Sequence, residues 1–319
     1  MVIIFLLRSL CKTGSTHCNG DNIMQRKAFA ILLIAFFIWV GQCQAEENIT
    51  IGVLAHNGSL KAMKQWAATG IYLTTELEHP TTIIPISSKE ILPAIEKQNV
   101  NFFIVDPSFF ITASIKYAAA PVVTMKKFGG WQALTSSGAV LFTAAENKNI
   151  HSLSDLQGKT FGAVQRSSFS GWQMAQKEFT DNDINIYDFV STLRFFATHE
   201  KVIKAVLNKQ VDAGTVAAGV LEQMVTAGNL TLEQVKILQQ KEHPDFPFHC
   251  STALYPEWVL ARTASTSPEL TIKIAEALQR LSAEDIAAKD AGIIGWGEPA
   301  DYSSVEELQQ ELKIGAYKP

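Results

Sequence analysis

Strand-like and helix-like stretches alternate along almost the whole chain beyond residue 46. That alternation predicts an α/β fold built on mostly parallel sheets with helices on both faces. Two further observations refine it. The alternating set occurs twice, which predicts two lobes, and four strand ends carry polar, turn-forming residues, which predicts a ligand cleft between the lobes.

The elements follow in order. Ile49 to Ala55 is β-branched and apolar and breaks at His56-Asn57-Gly58-Ser59, where Ser59 is placed to cap a helix. The buried stripe of that helix runs through Met63, Trp66, Gly70, Ile71, Thr74 and Leu77. Thr82 to Ile86 is the next strand, and Ser87 with Glu90 has capping-box spacing, although Pro93 interrupts the helix that follows. Phe102 to Val105 is a buried strand that stops at Asp106-Pro107, before an apolar helix through Tyr117. Ala120 to Met125 and Ala139 to Thr143 are further strands. The second set holds strands at Thr160 to Val164, Leu193 to Phe196, Val211 to Val216 and Val235 to Leu238. Its helices are His199 to Asn208, with Thr198 as cap, and Ala217 to Ala227. Glu242 to Pro247 reads as a crossing between lobes. Ser267-Pro268-Glu269 opens one late helix, and Ser303 with Glu306 opens the last.

The first residues set the compartment. Gln25-Arg26-Lys27, then the apolar run Ala28 to Val40, then Cys43-Gln44-Ala45 before Glu46, reads as a signal peptide cleaved near Ala45. Residues 1–45 are therefore an upstream extension and signal peptide, and the mature chain is periplasmic. Met24 stands just ahead of the signal as a second possible start. Of 27 basic and 31 acidic residues, Arg8, Lys12, Arg26, Lys27 and Asp21 precede Glu46, which leaves 23 and 30, a net charge of −7. That balance excludes nucleic acid as the expected partner. Of four cysteines only Cys250 lies in the mature chain, so an internal disulfide is not expected.

The run from Gly158 to Ala175 carries the most chemistry. A short strand enters a serine-rich turn and then a helix with Trp172, Ala175 and Phe179 on one face. Such a turn offers hydroxyls together with backbone N–H groups that have no partner inside the helix, at its positive end. It can seat a small anion. Equally, Ser168 or Ser170 can simply cap its own helix. His199 falls in a first helical turn, where the dipole favours the neutral ring.

The quoted residues resemble a known family. I-G-V-L-A-H-N-G from Ile51, D-P-S-F-F from Asp106 and S-F-S-G-W-Q-M-A from Ser168 are similar to periplasmic phosphonate/phosphite-type solute-binding proteins. H-E-K-V-I-K-A-V-L from His199, V-D-A-G-T-V from Val211, G-V-L-E-Q-M from Gly219 and S-T-A-L-Y-P-E-W from Ser251 continue the match, which ends on W-G-E-P-A-D-Y and G-A-Y. It resembles still more closely the periplasmic sensor domains of tetrathionate-type histidine kinases. The resemblance implies a two-lobed type II periplasmic-binding fold, with lobe one from residues 46–142 plus 250–319 and lobe two from 143–249. It also implies a cleft lined by Ser167, Ser168, Ser170, Gly171 and His199, with Asp106, Ser108, Asn57 and Asp212 as further ligand-binding candidates. Ser251, Thr252 and Tyr255 either face the cleft or shape the hinge.

The sensor-like pattern departs at Asn57 and Ala217, where arginine is common, and at Asp106, where asparagine is. Arg166, Lys126 and Lys127 are the basic residues positioned to compensate. The resemblance implies a binding protein that closes on a small polar, anionic ligand and presents it to a membrane-bound sensor kinase. An ABC permease importing phosphonate-like or other oxyanions is the alternative partner. The chain shows no H-E-x-x-H, no G-x-S-x-G and no cysteine pair, so no enzyme, metal or cofactor is expected. The tail resembles the segment that joins such sensor domains to a membrane helix. The sequence given stops at Pro319, so the expectation is a separate partner contacting the last helix near Gln309 or Lys313.

Overall fold

The structure is a computed structural model that describes residues 48–130 and 132–319; the leader expected over 1–45 lies outside the described residues. The first series is β1 (Ile49–Leu54), α1 (Ser59–Leu77), β2 (Thr81–Ile86), α2 (Ile91–Glu96), β3 (Phe102–Val105) and α3 (Pro107–Tyr117). β4 (Ala120–Phe128) and the short strands β5 (Ala133–Leu134) and β6 (Ser136–Ser137) lead to the second series. That series holds β7 (Ala139–Ala144), β8 (Thr160–Ala163), a π turn over Phe169–Gln173, α4 (Met174–Asp181) and α5 (Ile186–Phe189). It continues with β9 (Thr192–Phe195), α6 (His199–Leu207), β10 (Ala213–Ala217), α7 (Val220–Thr226) and β11 (Val235–Leu238). The chain then returns through β12 (Tyr255–Pro256), β13 (Val259–Arg262), α8 (Pro268–Arg280), α9 (Ile286–Ala291), β14 (Gly295–Gly297) and α10 (Ser303–Leu312).

Two sheets result. The first runs β14-β4-β13-β3-β1-β2 with β5 beside β4, and the second runs β11-β7-β10-β8-β9. A two-stranded pair, β6 with β12, forms where the chain crosses between them. Helices cover both faces of each. In the first sheet, Trp66 and Trp296 pack at 6.1 Å on one side while Phe110 and Tyr302 pack edge-on at 4.9 Å on the other. In the second, Phe142 and Val202 fill one side, and Phe161, Trp172 and Phe179 fill the other. No helix among the described residues is long and apolar enough to cross a membrane.

The two-lobed α/β architecture matches the expectation, but the sheets are mixed rather than mostly parallel. β1 pairs parallel with β2 and β3, and β8 with β9 and β10. β13, β14, β7 and β11 run antiparallel to their neighbours. Strand direction leaves no trace in a buried run of three or four residues, and the late strands β13 and β14 fall below the length at which a pattern declares itself.

Helix starts differ at two places. Ser59 is the first helical residue of α1, which is capped by Gly58 at φ 93° with no side-chain hydrogen bond. Ser87 donates to the Glu90 carboxylate at 2.6 Å instead of capping a backbone group, and α2 begins later. Pro93 is tolerated because it sits in the first turn, where N–H groups have no intrahelical acceptor. α10 opens at Ser303 as expected, and Asp301 accepts the Ser303 N–H at 2.9 Å. Ser267 and Thr198 cap α8 and α6 as their spacing requires.

Gln309 is fully buried, contrary to the expectation of an exposed contact residue. Its amide donates to the Ser108 carbonyl at 2.6 Å and to the Ser108 hydroxyl at 2.9 Å, and its Oε1 accepts the Ala316 N–H at 3.1 Å. A single side chain thus binds α3, α10 and the tail together.

Candidate ligand cleft

The first sheet presents one edge on which several strand ends align. β3 is parallel to β1, and β4, reversed twice through β13, runs the same way as β3. The residues following β1 and β3, the end of β4 and the entry to β13 therefore lie side by side. Asp106 caps α3 there, accepting the Phe109 N–H at 3.1 Å on Oδ1. Its Oδ2 accepts from His56 Nε2 at 3.0 Å, and the aspartate side chain is only 3% exposed. The His56 ring stands edge-on to Trp258 at 5.7 Å, and its Nδ1 is buried without a hydrogen-bond partner. Next along the edge, Lys127 at the end of β4 pairs with Glu257 at 3.0 Å.

The second sheet presents the opposing edge. β8 ends in the Gln165 to Ser170 turn, and Ser168 caps the π turn by accepting the Gly171 N–H at 3.2 Å. A Cβ on Gly171 would lie 2.6 Å from the Ser168 hydroxyl and from the Val164 Cγ2, so the tight turn requires glycine. Ser167 and Ser170 are half-buried, and no hydrogen bond among the described residues engages either hydroxyl. Beyond β9, Ala197 adopts φ 68°, a left-handed conformation uncommon for a residue other than glycine, and Thr198 then caps α6.

His199 follows the cap, and its Nδ1 accepts the Ala217 N–H at 3.2 Å. A neutral ring with Nδ1 as acceptor carries its proton on Nε2. Burial, followed by the charges of Lys127, His56 and Lys61, pushes the His199 pKa down to about 4. Lys127 and His56 stand at the edge of the first sheet, and Lys61 lies on α1 beside it. Gln165 also bridges, donating to the Ala197 carbonyl at 3.2 Å and reaching the His56 carbonyl at 3.5 Å.

The structure sorts the other candidates. Asn57 is exposed at the tip of its turn, with no hydrogen bond among the described residues. Ser108 is held by Gln309, on the side of α3 that meets α10. Asp212 lies at the opposite ends of β8 and β10, where its carboxylate accepts the Thr160 N–H at 2.8 Å and hydroxyl at 2.7 Å; it ties strand starts and takes no part in the cleft. Arg166 is exposed in the same turn and stacks over Phe195 and Tyr187.

Ser251 and Thr252 shape the crossing. Their hydroxyls accept the N–H groups of Leu141 at 2.9 Å and Ala139 at 3.0 Å. Tyr255 packs edge-on to Phe169 at 5.3 Å, and burial pushes its phenol up to about 12. Cys250 is fully buried with its thiol pushed up by desolvation, and His249 pairs with Glu222 at 2.8 Å. Sequence reasoning did not single out His56, Glu257 or Trp258. They occupy separate strand ends, and only the sheet order brings them together.

Comparison with known proteins agrees with this fold. The model of the ABC transporter phosphonate periplasmic substrate-binding protein family matches residues 51–304. A tetrathionate sensor histidine kinase of Salmonella typhimurium is 26% identical over 288 residues, covering 89% of this chain; the chain spans only 46% of the kinase. A Prochlorococcus marinus protein solved in complex with methylphosphonate superposes with a TM-score of 0.65 at 13% identity, over 84% of this chain and 99% of that one. The binding-protein component of an ABC phosphonate transporter from Pseudomonas aeruginosa gives 0.64 at 16% identity, over 83% and 85%. At these identities the solved structures speak for the fold.

Proposed function

Because the chain belongs to the phosphonate ABC-transporter family of periplasmic substrate-binding proteins, we propose that it closes on a small, polar, anionic ligand between its lobes and presents the closed form to a membrane-bound sensor. The observation that carries the reading is His199, a donor kept neutral chiefly by desolvation on one lobe, two residues from the Ala197 carbonyl that Gln165 ties to the His56 carbonyl of the other. Ser167, Ser170 and the turn held by Ser168 and Gly171 contribute from the same side, with His56 and Lys127 opposite. Asp106 acts by orienting His56.

The lobes hinge at the paired crossings, where β6 meets β12 and the Ser251 N–H donates to the Ala139 carbonyl at 2.8 Å. Export follows from the leader, with cleavage near Ala45. Delivery to an importer permease is the second reading, favoured by the family's own description.

Material purified from the periplasm tests the proposal. Mass spectrometry should give an intact mass that starts near Glu46 and an associated small anion. Small-angle scattering with that anion restored should show a smaller radius of gyration. An unchanged radius at saturating ligand would overturn closure.

A further inference from the structure

We propose that Lys127 and Glu257 form the charge selector of the cleft and set its preference for ligands bearing one negative charge over those bearing two. The inference rests on the anion-binding reading above and narrows it to a ligand class. Lys127 Nζ lies 3.0 Å from Glu257 Oε2, which also accepts the Trp258 N–H at 3.1 Å. The glutamate side chain is 3% exposed while the lysine side chain is 44% exposed. The carboxylate is thus the fixed, buried member of the pair and the ammonium is the member that reaches open space.

A buried carboxylate is costly unless it keeps its partner, so the lysine stays oriented by it and is partly neutralised by it. The neighbouring pair on this edge has the same make-up, a nearly buried Asp106 beneath His56 at 3.0 Å. Gln165 ties the Ala197 carbonyl to the His56 carbonyl, so His199, two residues on, comes to this edge as a donor without charge. Lys61, on the first turn of α1, is exposed to solvent. The edge therefore holds two buried carboxylates, with the Lys127 ammonium fixed against one of them. A single anionic group fits between that ammonium and the donors of the opposite lobe. A second negative charge meets the carboxylate of Glu257, which among the described residues is paired by Lys127 alone.

Calorimetry with methanesulfonate and sulfate, two probes with the same sulfonyl oxygens and different charge, tests the selector. The native protein should bind methanesulfonate more tightly than sulfate. Glu257→Gln, which keeps the shape and a hydrogen-bond acceptor for Lys127, should tighten sulfate by about tenfold and change methanesulfonate far less. The double variant K127Q/E257Q removes both charges without stranding one, and should weaken methanesulfonate by about tenfold. An unchanged ratio of the two affinities in Glu257→Gln overturns the selector while leaving anion binding intact. Failure of both probes to bind the native protein overturns the anion reading and the selector with it.

Discussion

At His199 desolvation, helped by charges from the first lobe, sets the chemistry of a single ring. The unfolded imidazole titrates near its ordinary 6.5, whereas the folded one stays neutral until about 4. Between those values the unfolded chain alone takes up a proton at this position, so stability contributed by the neutral ring is lost as pH falls through the window. The melting temperature of the unliganded protein should therefore drop from pH 6.5 toward 4 more steeply than that of His199→Gln, which cannot titrate. Parallel curves for the two proteins would show that the ring is not held neutral. The position was legible in sequence, because a histidine one residue past a capping threonine must meet the positive end of its helix. Its charged neighbours were not, since Lys127, His56 and Lys61 come from another lobe and no spacing along the chain relates them. Asp212 shows the reverse: it has a ligand-binding residue type next to a strand, but it stands at the wrong end of that strand.

The element that decides the site is the serine turn leading through the π turn into α4. The sequence left two roles open for its serines, and the structure divides them between residues. Ser168 is buried and accepts the Gly171 N–H, whereas the Ser170 hydroxyl has no partner among the described residues. Ser168→Ala should accordingly cost about 0.5–2 kcal/mol of stability, the usual loss of an N-cap. Ser170→Ala should leave the melting temperature nearly unchanged and weaken the co-purified anion by roughly ten- to a hundredfold, as one lost hydrogen bond to a charged group does. Thermal melts and calorimetry on both variants check this, and equal loss of stability with normal binding would reduce both serines to caps. Most elements were readable because their apolar runs were long or their caps explicit, as at Ser267-Pro268. β13, at four residues, and β14, at three, were not. Without them the antiparallel half of the first sheet, and so the alignment of Lys127 with Glu257, stayed hidden.

For the molecule as a whole the question is how closure reaches a membrane partner, and α10 is placed to carry it. Gln309 fastens it to α3, whose first residues adjoin the cleft through Asp106. On its other side, Glu311 accepts from Lys177 of α4 at 2.8 Å, so the same helix touches the element that carries the serine turn. Burial alone would depress the Lys177 ammonium, but hydrogen bonds to Asp181 and Glu311 outweigh it and raise its pKa to about 12. A rotation of one lobe against the other must change the surroundings of a helix attached to both. Only a difference in affinity for the open and closed forms can report the ligand to a partner. The contact surface must then come from exposed positions of α10 and the residue after it, such as Glu307 and Lys313, because Gln309 is buried. A photocrosslinker at either position, in membranes containing both a candidate sensor kinase and a candidate permease, should capture the kinase more strongly when the anion is present. Ligand-dependent capture of the permease with none of the kinase would reverse the order of partners, and capture indifferent to ligand would remove α10 from the signalling path.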